Sequence, residues 1–181
     1  MRMTVSDEQL ALASAAGDRS AFSVLLARHY DRLFAFAMRM TGDRAEAEDL
    51  TQDICMALPA KLDGFRGDAK FTTWLYRVTV NAAHDRRRRS ATHDKAAGGW
   101  GDWEITRQAA NREEAEARDW LVQAMRALPD ELRDTLTLTL GEGLSQKETA
   151  AVLEVSEGTV AWRVSEAKRH LKAIHAEEEQ P

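Results

Sequence analysis

Apolar residues recur along this chain mostly at helical spacing, and polar start and stop signals divide the pattern into separate helices. Between Ser145 and Leu171 two short helices are joined by a tight turn. The first opens at S-Q-K-E, where the Ser145 hydroxyl and the Glu148 carboxylate can each satisfy a free backbone N–H at a helix start. Ser156, followed by Gly158, marks a turn and a second start. Val160, Val164, Ala167 and Leu171 then fall at i, i+4, i+7 and i+11 as one apolar stripe, with Trp162, Ser165, Glu166 and Arg169 on the opposite face. An apolar back with a polar, partly basic front suits a helix lying in a DNA major groove. An ordinary amphipathic hairpin would show the same spacing.

Upstream, Ser6 to Gln9 predicts a capping box for a short first helix that ends near Gly17. Ser20 to Met40 reads as a second helix closed by Thr41-Gly42. Asp43 caps a third, which turns Ala47, Leu50, Ile54 and Leu58 inward and fades near Pro59. Leu62 to Lys70, with Gly64 and Gly67, reads as a loop. Phe71, Trp74, Leu75, Val78 and Ala82 resume helical spacing, ending in the basic run Arg86 to Arg89. Ser90 to Arg118 loses the stripe and contains Gly98-Gly99, which predicts a linker from which Trp100 and Trp103 can dock elsewhere. Thr135 to Leu140 alternates like a strand. Leu128, Leu132, Leu136 and Leu140 recur every four residues, however, with Pro129 suited to a first helical position and two acids after it, so the segment is read as helix. The expected fold is all-α, with two small helical domains at 1–89 and 119–176 joined by a flexible linker at 90–118.

Composition narrows the function. The 181 residues are 44% hydrophobic, enough for one ordinary core or two small ones. A net charge of -5 argues against coating nucleic acid by bulk attraction, so DNA binding needs local patches or a partner. The single cysteine, Cys55, excludes a disulfide framework and a cysteine zinc site and suits a reducing cytoplasm. No apolar run approaches the roughly 20 residues that span a bilayer, and MRMTVSDEQL lacks the apolar segment of a signal peptide, so a cytoplasmic protein without membrane insertion is expected.

Two further surfaces stand out. On the third helix, Asp49, Gln52, Asp53 and Met56 share a face, and Asp43 to Asp53 holds five acids and one base. A docking patch for a basic partner, a solvated face and a metal site are the three readings, metal being the weakest because the histidines lie elsewhere in sequence. The segment Leu62 to Arg89 holds eight basic residues, counting His84, against three acids, interleaved with Phe65, Phe71, Trp74 and Tyr76. Such a mixture can hold single-stranded nucleic acid, with cations on the backbone and rings or pockets for unstacked bases. Phe71 and Trp74 lie on the apolar stripe and read as core. Arg77, Asn81, His84 and Arg88 line a different, polar face that suits contact with DNA.

In this order the three surfaces resemble the bacterial sigma-70 family of RNA polymerase sigma factors, specifically its short extracytoplasmic-function (ECF) group. Asp49-Leu50-Thr51-Gln52-Asp53 is similar to the family's D-x-x-Q-[DE] motif for gripping core polymerase. Phe65-Arg66-Gly67-Asp68, Phe71-x-x-Trp74-Leu75 and Asn81 resemble its promoter-melting segment, and Gly143-Leu144-Ser145 through Leu171 resembles its final helix-turn-helix, with Glu157-Gly158-Thr159-Val160 as the turn. The resemblance implies core-polymerase binding by Asp49, Gln52, Asp53 and Met56. It implies capture of the minus-ten non-template strand by Phe65, Arg66, Lys70, Arg77, Asn81, His84 and Arg88. It implies reading of the minus-thirty-five duplex by Ser156, Glu157, Thr159, Trp162, Arg163, Ser165, Glu166 and Arg169. It further implies an anti-sigma factor as inhibitor, no cofactor, no metal and no catalytic residue.

Departures are visible as well. Cys55 and Pro59 replace bulkier aromatics, and Ala161-Trp162 replaces a commoner Lys-Ser pair, which puts a large ring on the DNA-facing side. A conventional repressor would share the helix-turn-helix but need neither the acidic face nor the melting segment. An adaptor would dock without reading DNA, and an enzyme is the weakest reading, since no nucleophile constellation or nucleotide loop is present.

Overall fold

The computed structural model describes the backbone of residues 5–93 and 112–178, and side chains over 5–89 and 120–176. Among the described residues the structure is helical without strands, and the chain divides into two compact units, Met1–Arg89 and Ser90–Pro181. Of the expected linker at 90–118, residues 94–111, with Trp100 and Trp103, lie outside the described residues, whereas 90–93 and 112–118 are helical and not linker.

In the first unit, α1 (Asp7–Ala15) starts at the expected capping box: the Gln9 N–H donates to Ser6 Oγ at 3.2 Å and the Ser6 N–H to Gln9 Oε1 at 3.1 Å. Helix α2 (Arg19–Thr41) starts one residue before the sequence signal. Its cap is Asp18, whose Oδ1 accepts from the Ser20 and Ala21 amides at 2.9 and 3.0 Å. It stops at Gly42, whose φ of 67° is the left-handed turn that glycine adopts without a Cβ penalty. Asp43 caps α3 (Arg44–Leu62) through the Glu46 amide at 2.8 Å.

Helix α3 does not fade at Pro59. The ring removes one intrahelical donor, which usually breaks a helix. Here Leu58 and Leu62 on either side of it are buried in the core, and that burial carries the helix one further turn past the exposed proline.

Helix α4 (Phe71–His93) continues past the basic run, and its buried face is rotated from the expected one. Phe71, Leu75, Tyr76, Thr79, Val80 and Ala83 are buried, whereas Val78 and Ala82 are half-buried. Tyr76 is drawn inward by a tilted contact with Phe36 of α2 at 4.7 Å between ring centroids. Thr79 hides its hydroxyl by donating to the Leu75 carbonyl at 2.8 Å. Helix α1 staples the unit together. Asp7 accepts from Arg28 (2.9 Å) and His29 (2.8 Å) of α2, and Glu8 Oε1 accepts the Phe71 amide at 3.1 Å, capping α4 from outside its own sequence neighbourhood.

In the second unit, α5 is Arg112–Ala127 and α6 is Asp130–Leu136, with Pro129 at the cap and Asp130 as the first helical residue. The T-L-T-L segment is helical, as the four-residue recurrence of leucine implied, but it widens into a π turn over Thr137–Gly141, marked by the Glu142 N–H donating to the Thr137 carbonyl at 3.0 Å. The wider turn changes the angular phase. Leu138 becomes fully buried and Leu140, expected on the stripe, is 68% exposed.

Helix α7 (Gln146–Leu153) begins at the Ser145 capping box and ends at Glu154, a non-glycine residue held at φ 56°, ψ 42°. Helix α8 (Glu157–Glu178) follows after Ser156. Val160 and Ala167 are fully buried, and Val164 and Leu171 pack with Ala167 against Leu128, Leu132 and Leu136, so the predicted stripe is the core of this unit. Among the described residues no helix is long and apolar enough to cross a membrane.

Candidate functional surfaces

The four α3 residues Asp49, Gln52, Asp53 and Met56 all reach solvent, and Met56 is 75% exposed. The face is not bare. Arg86 of α4 reaches across to Asp53 Oδ2 at 2.7 Å and Asp49 Oδ2 at 3.3 Å, while both carboxylates stay more than half exposed. A basic partner arriving here meets two carboxylates already sharing one cation. Arg86 was legible only as part of a basic run, because its partners lie 37 and 33 residues away.

The loop that follows α3 turns at Gly64 and Phe65, whose amides donate back to Lys61 and Leu62 at 3.0 and 2.9 Å. Phe65, expected at the minus-ten strand, is only 5% exposed. It meets Phe71 and Trp74 edge-on at 5.9 and 5.5 Å, so it anchors the loop to α4 rather than offering a free ring for a base. Arg66 and Lys70 are exposed on either side of it. Arg77, Asn81, His84 and Arg88 are exposed together along α4, as their spacing required. Arg88 is hydrogen-bonded to Asp85, and that bond holds the Asp85 carboxyl below its usual range.

On α8 the eight predicted residues separate into three groups. Ser156 and Thr159 form the helix start: Ser156 Oγ accepts the Thr159 N–H at 3.0 Å, and the two hydroxyls lie 2.8 Å apart. Arg163 turns sideways to Glu131 of α6 at 2.7 Å with its side chain 14% exposed, so it braces the unit instead of facing outward. Glu157, Trp162, Ser165 and Arg169 are exposed, and Glu166, half-buried, binds Arg169 and lies 3.4 Å from His170 Nε2. Among the described residues no group of three or more His, Cys, Asp or Glu side chains is placed to hold a metal ion. Burial raises the Cys55 thiol above its ordinary range, which makes it a poor nucleophile.

Comparison with known proteins places both units in known families of sequence. Residues 25–92 match the model of Sigma-70 region 2, and residues 118–171 that of Sigma-70, region 4. The chain is 33% identical to the RNA polymerase sigma-H factor of Pseudomonas aeruginosa over 90% of each chain. It is 34% identical to the ECF RNA polymerase sigma factor SigM of Mycobacterium tuberculosis, over 93% of this chain and 84% of that one. The solved structure of the sigma factor RpoE in complex with the anti-sigma factor NepR from Bartonella quintana superposes with a TM-score of 0.72 at 25% identity, covering 86% of this chain and 96% of that one. With α3 and nearly all of α4 inside the first match and α6, α7 and most of α8 inside the second, this chain belongs to the sigma-70 family of RNA polymerase sigma factors, in its ECF group.

Proposed function

We propose that the chain directs promoter-specific transcription by dividing the work between residues 1–89 and 119–176, with 90–118 as the connection. The α3 face of Asp49, Gln52, Asp53 and Met56 docks on a basic surface of core RNA polymerase. Arg66, Lys70 and the α4 row Arg77, Asn81, His84 and Arg88 hold the minus-ten non-template strand, and Phe65 sets the loop that carries Arg66. Extruding a base requires a few kcal/mol, about the size of the contacts such a loop can offer. The front of α8 reads the minus-thirty-five duplex, with Glu157, Trp162, Ser165, Glu166 and Arg169 toward the bases.

The observation that carries this reading is that the docking face, the α4 row and the front of α8 are three exposed polar helix surfaces, each set on a buried apolar back. No step calls for covalent chemistry, so the chain acts by binding and is not an enzyme, and it works where the polymerase is, in the cytoplasm. The likeness to RpoE bound to NepR supports an anti-sigma factor as the inhibitor. Run-off transcription by core polymerase on a pool of genomic promoters, with and without the chain, tests the reading. Transcripts from a defined promoter subset are expected only when the chain is present; an unchanged transcript pattern overturns it.

A further inference from the structure

Trp162 is the one large apolar side chain on the exposed front of α8, and it is 59% exposed while the stripe behind it is fully buried at Val160 and Ala167. Its immediate setting is polar: Ser165 and Glu166 lie one turn on, and Arg169 two turns on. Helical side chains lean toward the helix start, and the turn on that side of Trp162 carries Gly158. Gly158 presents no side chain there, and a Cβ built on it would meet nothing closer than Ser156 Oγ at 3.7 Å. Trp162 therefore lies exposed in the second turn of α8, near the end at which a recognition helix meets base edges.

The major groove of B-DNA presents donors and acceptors on every base pair, and its largest apolar group is the C5 methyl of thymine, where cytosine has only a C5–H. An indole on a base-reading surface gains its greatest apolar contact by covering that methyl. We propose that Trp162 is a specificity-determining residue that selects a thymine in the minus-thirty-five duplex by covering its C5 methyl group. The proposal rests on the reading of α8 as the duplex-contacting helix, and it adds the chemical feature recognised at one position.

The test uses the holoenzyme, formed from the full chain and core polymerase. Selection from duplexes randomised upstream of a fixed minus-ten element yields the preferred site, and each thymine in it is then replaced singly by deoxyuridine, which removes only the methyl. At one position the loss is expected to be about fourfold, the size of one buried methyl group. Trp162→Ala should bind that site more weakly and lose its response to deoxyuridine at that position, while Trp162→Phe keeps a partial response. A parent protein indifferent to deoxyuridine at every position overturns the proposal, as does an unchanged response in Trp162→Ala. Loss of polymerase or inhibitor binding in Trp162→Ala with promoter preference intact would make the ring a protein contact and likewise overturn it. If selection returns no upstream motif at all, the reading of α8 falls, and the proposal with it.

Discussion

Two exposed helix faces, on α3 and on α8, neutralise their charges in different ways. On α3 the carboxylates of Asp49 and Asp53 are bridged by a guanidinium from another helix, so the docking face is tied to α4. On α8 the outward charges pair along their own helix, Glu166 with Arg169, while the one arginine bound across to another helix, Arg163, is withdrawn from the front. The difference separates what each face can change. Neither Asp49 nor Asp53 can be replaced without disturbing the contact to α4, whereas the front of α8 can alter its reading with its core untouched.

The largest effect tests whether the two units are independent. Val160→Asp places a charge at a position with no solvent exposure and should cost the second unit about 3 kcal/mol or more. Melting followed by hydrogen exchange should show Asp130 to Leu171 losing protection while Leu25 to Val80 keeps it. Joint loss of protection would break the comparison.

Next in size is the docking face. Asp49→Lys with Asp53→Lys sets like charges against a basic partner and strands Arg86 beside them, lowering core affinity by roughly 2–5 kcal/mol. Arg86→Gln works the other way: it leaves two carboxylates without their shared cation, so association with core should quicken several-fold at low salt and return to parental values at high salt. Stopped-flow association across a salt series reads both variants. A slower Arg86→Gln would mean that the bridge positions the carboxylates rather than competing for them.

The two arginines of α8 should then part company. Arg169→Ala is expected to lose about 1–3 kcal/mol of promoter affinity with relaxed preference at one base pair. Arg163→Ala should lower stability by about 1 kcal/mol and leave preference alone, because its partner is Glu131. Binding to a panel of single-base variants, beside urea titration, distinguishes them.

Acid should act on the first unit through α1. Burial works against the Asp7 carboxylate, but the hydrogen bonds from Arg28 and His29 outweigh it, and the group titrates below its ordinary range; the bond from the Phe71 amide lowers Glu8. A lowered carboxyl contributes stability that is present above its unfolded pKa, about 4, and is lost as pH falls through the folded value. Urea midpoints should therefore drop below about pH 4, and less steeply in Asp7→Asn. The smallest effect is a gain: Glu154→Gly relieves a left-handed side-chain residue and should stabilise the turn between α7 and α8 by about 0.5–1 kcal/mol, read as a raised urea midpoint.

Several of these features were legible before any folding. The caps at Ser6, Asp43 and Ser145, the stop at Gly42 and the inward stripe of α8 need only hydrogen bonds and periodicity within about four residues, so local chemistry determines them. The three surfaces could be located for the same reason, since each is built on one helix, the minus-ten surface with the loop that leads into it. What each residue does there was decided by contacts between segments far apart in the chain. Phe65 left the nucleic-acid face because Phe71 and Trp74 offered a buried edge, and the α4 stripe rotated to reach Phe36. Leu140 left its stripe when the helix widened, and Arg86 and Arg163 found carboxylates more than thirty residues away. Periodicity assigns a side chain to a face of its helix; only packing decides which neighbour waits there.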